Sequence, residues 1–179
     1  MSYWLRRLQV SHKWMTIFVT VVSALVCILL LPTRIPGMEL LGIGPNWLLI
    51  WVVAWCVKRD RTLVEGAIAG LVLGMIQDGM TNPEPTHTLS LVLVGVLTVS
   101  LRKLKLFPQE LMQRDLITIS LLVFGMAILS ETVMALQFQL YGNRDINDIW
   151  LYHQQVALTS GIISSLWTSA IAFPLTRLG

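Results

Sequence analysis

Six strongly apolar stretches, each bounded by polar or Pro/Gly-rich residues, run along this chain. They predict helices over about 14–31, 45–58, 62–80, 86–101, 116–137 and 155–174. Runs of about 20 apolar residues match a hydrocarbon core roughly 30 Å thick. The second run is short: from Pro45, a residue suited to a first helical turn, it ends at Val57 and rises only about 20 Å. Snorkelling of Lys58 and Arg59 extends it. Trp47, Trp51 and Trp55 recur along it at a spacing of four. Residues 3–13 predict a short interfacial helix, with Trp4, Leu5 and Leu8 on one face and Arg6, Arg7 and Gln9 away from it. Pro32, Pro36 and the glycines 37, 42 and 44 predict an irregular loop, and Asn82-Pro83-Glu84-Pro85 breaks the chain again. After Pro108, Leu111 and Met112 join Leu106 and Phe107 as interfacial residues of an otherwise basic segment. Ile146, Ile149, Trp150 and His153 fall at helical spacing and predict a short surface helix before the last span.

Charge adds an orientation. When the segments between the runs are numbered alternately inside and outside, eleven of the thirteen Lys and Arg fall inside: Arg6, Arg7, Lys13, Lys58, Arg59, Arg61, Arg102, Lys103, Lys105, Arg114 and Arg177. Only Arg34 and Arg144 fall outside. Cytoplasmic loops retain basic residues, so the split predicts an all-α polytopic membrane protein with six transmembrane helices and both termini cytoplasmic. A hydrophobic content of 55% and a mean hydropathy of +0.69 agree with that class. Six spans leave too little of the 179 residues for a separate soluble unit, so residues 1–179 read as a single integral membrane domain. The basic face is aimed at anionic lipid rather than nucleic acid, because its charges come in pairs at helix ends with no extended aromatic–basic surface. Cys27 and Cys56 lie in apolar runs and read as free, buried thiols.

Several motifs have two readings. Gly66-x-x-x-Gly70-x-x-x-Gly74 puts glycines on one groove where a second backbone can approach closely. Gly161, Ser165 and Ser169, after Ala157, make a similar stripe in the last helix. Each is either an internal packing seam or a groove for a partner helix. Gln77, Asp78, His87 and Glu131 gather toward the outer face, where polar groups are costly and often functional. They form either an outward pocket or a set of caps and internal pairs. The Trp47/Trp51/Trp55 stripe is either lipid-facing or a flat docking face, with Trp150 as a further aromatic candidate; Trp51, at mid-depth, needs a partner for its N–H. No nucleophile–base spacing, phosphate loop or metal-ligand cluster stands out, so no catalytic, cofactor or metal residues are expected and the chain reads as no enzyme.

At Pro45-Asn46-Trp47-Leu48-Leu49, at Gly66–Gly79 with its Gly74-Met75-Ile76-Gln77-Asp78 string, and at the Arg102-Lys103 exit, the chain resembles the MreD family of bacterial rod-shape membrane proteins. The family often has a glycine at the start of helix 4, where this chain has Pro85-Thr86-His87-Thr88. The resemblance implies a non-enzymatic scaffold of the elongasome in the bacterial inner membrane, involved in cell shape and lateral peptidoglycan synthesis. Its implied partners are an MreC-like membrane protein and, through it, a RodA-type glycosyltransferase, a penicillin-binding transpeptidase and, indirectly, the MreB filament. It also implies a fold similar to the substrate-binding subunits of energy-coupling-factor vitamin transporters, which supplies the rival reading of a small-molecule transport subunit. Those subunits tend to carry an Ala-x-x-x-Ala seam in helix 1, whereas helix 1 here has bulky residues and one alanine, Ala24. That difference favours the scaffold.

Overall fold

A computed structural model describes residues 2–33, 37–58, 60–81, 86–104, 115–141 and 146–177, and of 2–13, 141, 146 and 177 the backbone alone. Among these residues there are six helices and no strand: α1 (Ser2–Leu30), α2 (Trp47–Cys56), α3 (Leu63–Met80), α4 (His87–Lys103), α5 (Leu116–Tyr141) and α6 (Ile146–Arg177). Three of them, α3, α5 and α6, are long and apolar enough to cross a membrane.

Two expected boundaries are corrected. Residues 3–13 are not a separate interfacial helix but the first turns of α1, and no Pro or Gly interrupts the chain there. The facing of Trp4, Leu5 and Leu8 lies outside the described side chains. The surface helix expected around Ile146–His153 is the start of α6, since nothing between Ile146 and Gly161 breaks a helix. Pro174 sits near its far end, three residues before Arg177, so the backbone bond it removes affects only the last turns. The Asn82–Pro85 break and the amphipathic segment after Lys105 lie outside the described residues.

α2 is the hub. It packs against all five other helices, while α3 pairs with α4 and α5 with α6. Every α2 residue except Trp55 is buried, and Leu48 to Ile50 and Val52 to Ala54 are wholly inaccessible. A helix apolar all round belongs inside other protein. Ten residues rise about 15 Å. Asn46 fixes its start: the side chain accepts from Leu49 N at 3.1 Å, and Asn46 N donates to Ser164 Oγ of α6 at 2.9 Å. Pro45 therefore precedes the cap rather than opening the helix.

α1 is peripheral. It buries Cys27 against α2 but leaves Trp14, Phe18, Val21, Leu25 and Leu29 exposed. Between α1 and α2, Leu40 and Ile43 exchange backbone bonds of 2.9 and 3.0 Å around Leu41 and Gly42. Both turn residues have positive φ, 55° and 78°, the pattern of a two-residue hairpin turn.

Candidate functional site: helix seams and buried polar contacts

The glycines of α3 form a seam with α4. Gly66, Gly70, Gly74 and Leu73 are buried. A Cβ on Gly66 would stand 2.8 Å from Gly95 O, one on Gly70 would overlap the Leu91 carbonyl, and one on Gly74 would overlap Thr88 Cα. Gly95 is the reciprocal position, since a Cβ there would overlap Gly66 O. Gly95 belongs to the same seam, and only the lack of a four-residue repeat in α4 hid it in the sequence.

At one end of this seam Asp78 closes the α3–α4 pair. Its Oδ1 accepts from His87 N at 2.6 Å and stands 3.0 Å from His87 Nδ1. Its Oδ2 accepts from Thr88 N at 3.1 Å and from Thr88 Oγ1 at 2.6 Å. One carboxylate thus satisfies the orphan amides that open α4, the work of an N-cap supplied by a neighbouring helix. Thr86 forms the other half of this joint: its N and Oγ1 donate to Gln137 Oε1 at 3.1 and 3.0 Å, and Gln137 Nε2 donates back to Thr86 O at 3.1 Å. Gln137, a residue without a sequence signal, ties α5 to the same point. Gln77 is buried, and its Oε1 has no hydrogen-bond donor among the described residues.

Glu131 does not join Asp78 and His87. It reaches across to α6, where His153 Nδ1 stands 3.1 Å from its Oε2, both side chains being largely enclosed. Phe138 and Tyr152 flank the imidazole at centroid distances of 5.3 and 5.4 Å. Small cavities of about 110 and 220 Å³ lie on either side of His153, and Trp150 lines the larger. Of the four residues grouped from the sequence, Asp78 and His87 therefore form the cap, Glu131 pairs with His153 instead, and Gln77 joins neither.

The tryptophan stripe is neither lipid-facing nor an open docking face. Trp47 is 6% exposed and meets Trp167 edge-on at 6.0 Å. Trp51 is 5% exposed, and its Nε1 donates to Ser23 Oγ of α1 at 2.9 Å. Trp55 stacks on Trp51 at 5.7 Å. The correction has a simple cause: α2 is surrounded by the other helices, and of the stripe only Trp55 is partly exposed.

In α6, Gly161 packs on the Phe124 ring, where an added Cβ would come within 3.0 Å. Ser165 and Ser169 instead line an open groove between α5 and α6 of about 590 Å³, with Leu116, Ser120, Phe124 and Leu166 along it. Cys27 and Cys56 are free and buried.

At the far end of α4, Arg102 is 6% exposed. Its Nη1 donates to Cys56 O at 3.1 Å and its Nη2 to Arg61 O, so it caps the C-terminus of α2. From sequence it reads only as an exit charge.

Compared with models of known families, with curated proteins and with solved structures, the chain matches none.

Proposed function

We propose that this chain is a non-enzymatic, multi-pass membrane scaffold of the MreD type, with six crossings and both termini in the cytoplasm. The observation that carries the choice over a transport subunit is the use of its polar residues. Both oxygens of Asp78 are held by the start of α4, and Glu131 is held by His153. The cavities beside His153 measure only about 110 and 220 Å³, and the larger α5–α6 groove of about 590 Å³ is lined by apolar residues and serines, with none of these acids. These groups build a stable bundle and leave little with which to grip a vitamin-sized substrate. The eleven-to-two distribution of basic residues supports the orientation.

A scaffold must offer a face to its partner. With the tryptophan stripe internal, the α5–α6 groove is the better candidate for a transmembrane helix of an MreC-like protein. Its small Ser120, Ser165 and Ser169 allow close backbone approach. The test is affinity purification of the tagged full chain in mild detergent, followed by mass spectrometry. Elongasome components should co-purify, and Ser165→Leu with Ser169→Leu should deplete them. Recovery of an ATPase-coupled transporter, or tight binding of a vitamin-sized ligand to the purified protein, would replace this reading with the transport one.

A further inference from the structure

Among the described residues, the end of α2 and the short turn into α3 hold three buried N–H donors without an acceptor: Trp55 Nε1, Lys58 Nζ and Arg61 Nε. They belong to one cluster. The Arg61 guanidinium carbon stands 4.1 Å from the Trp55 ring centroid, Lys58 N donates to Trp55 O at 3.4 Å, and Arg61 N donates to Lys58 O at 3.3 Å.

The turn offers them little to bond. Arg102 occupies the carbonyls of Cys56 and Arg61. Asp60 is 3.9 Å from Arg61 Nε, too far for a hydrogen bond, and its side chain is 71% exposed. Glu65 Oε1 pairs with Arg61 Nη1 at 3.6 Å and leaves Arg61 Nε without an acceptor, while its Oε2 accepts from Thr62 N and Oγ1 in the capping box of α3. A buried donor without an acceptor is costly, and more so when charged. Three such donors side by side, with Arg102 as a third cation beside them, describe one missing complement: an anion carrying several oxygens. Phosphate fits, because it offers acceptors in several directions and pairs well with guanidinium.

We propose that this turn is a binding site for a phosphate group, held by Trp55, Lys58 and Arg61, and supplied in the bilayer by the headgroup of an anionic lipid. The site lies beyond the scaffold reading and depends only on this end of the chain reaching the membrane face. It differs from a general attraction of basic residues for anionic lipid, because it needs the indole N–H as well as the charges.

The full chain is purified in detergent and stripped of lipid. Phosphatidylglycerol, phosphatidylcholine and inorganic phosphate are then titrated separately. Binding is read by native mass spectrometry for the lipids and by thermal unfolding for all three, with a thiol-reactive dye reporting exposure of the buried Cys27 and Cys56. Phosphatidylglycerol should bind and stabilise. Lys58→Gln and Trp55→Phe should each weaken it about tenfold, the loss of one charge-assisted hydrogen bond. Lys103→Gln, an exposed base at the same end of α4, should change it less than twofold. Stabilisation by inorganic phosphate as strong as that by lipid keeps the site and makes its source soluble. Equal weakening by all three substitutions, equal retention of phosphatidylcholine, or no stabilisation by either lipid or phosphate would overturn the proposal.

Discussion

Replacing Gly70 by alanine adds one methyl group at a tight point of the α3–α4 seam. That methyl carbon would lie 2.6 Å from Leu91 C and 2.7 Å from Val92 Cα, and would overlap Leu91 O. All three neighbours are backbone atoms, so no side chain can rotate away. The helices must separate, and neighbouring contacts loosen with them. Overpacking of this kind costs about 1–3 kcal/mol, against a gain of about 1 kcal/mol from alanine's better helix propensity. Gly125 in α5 is the control, because an added Cβ there meets nothing within 4 Å. Gly125→Ala should be neutral or stabilising by up to about 1 kcal/mol. At the upper end of the clash cost the same chemical change should therefore differ by about 2–3 kcal/mol between the two sites, roughly a 30- to 150-fold difference in the folded-to-unfolded ratio. Reversible unfolding in mixed micelles by added SDS, followed by helicity, measures both variants. Midpoints agreeing to within about 0.5 kcal/mol would show that α3 and α4 do not meet at Gly70.

Trp51→Phe should cost about 1 kcal/mol, through loss of the Ser23 hydrogen bond, and Trp51→Ala about 3–5 kcal/mol; unchanged unfolding with loss of a co-purifying partner would instead put Trp51 at an interface. Asp78→Ala should destabilise by about 1–2 kcal/mol, with faster amide exchange confined to the first turn of α4; unaltered exchange at His87 to Ser90 would contradict the cap. Glu131→Leu and His153→Leu should each be costly, and the double variant less so than their sum by at least about 1 kcal/mol. Simple additivity in that cycle would mean the two side chains do not interact.

The all-helical class was legible because apolar runs of helix length leave no other reading. The Trp51 environment was not, since outward-facing and inward-facing positions are equally apolar in a chain this hydrophobic. Only the need of the indole N–H for a partner hinted at Ser23. Glu131 stood out as a costly acid, but its partner His153 lies 22 residues away on the next helix. Sequence depth grouped Glu131 with Asp78 because both lie toward one end; what divides them is which helix each one faces. Gln137 and Arg102 gave no signal, because an amide at the end of a span and a base at another's exit look like ordinary boundary residues. The start of α6 was placed late because Asn147 and Asp148 are polar, although neither interrupts a helix.

The hydrogen bond from Asn46 to Ser164 joins residues 118 positions apart. A ribosome makes the first long before the second. During that interval α2 is a ten-residue apolar rod without its final neighbours, too short to span the bilayer on its own. Its backbone cap at Asn46 has no hydroxyl to donate to until α6 enters. A chain truncated before Ser164 therefore lacks this tie on its central helix, and is exposed to whatever quality control meets unfinished proteins.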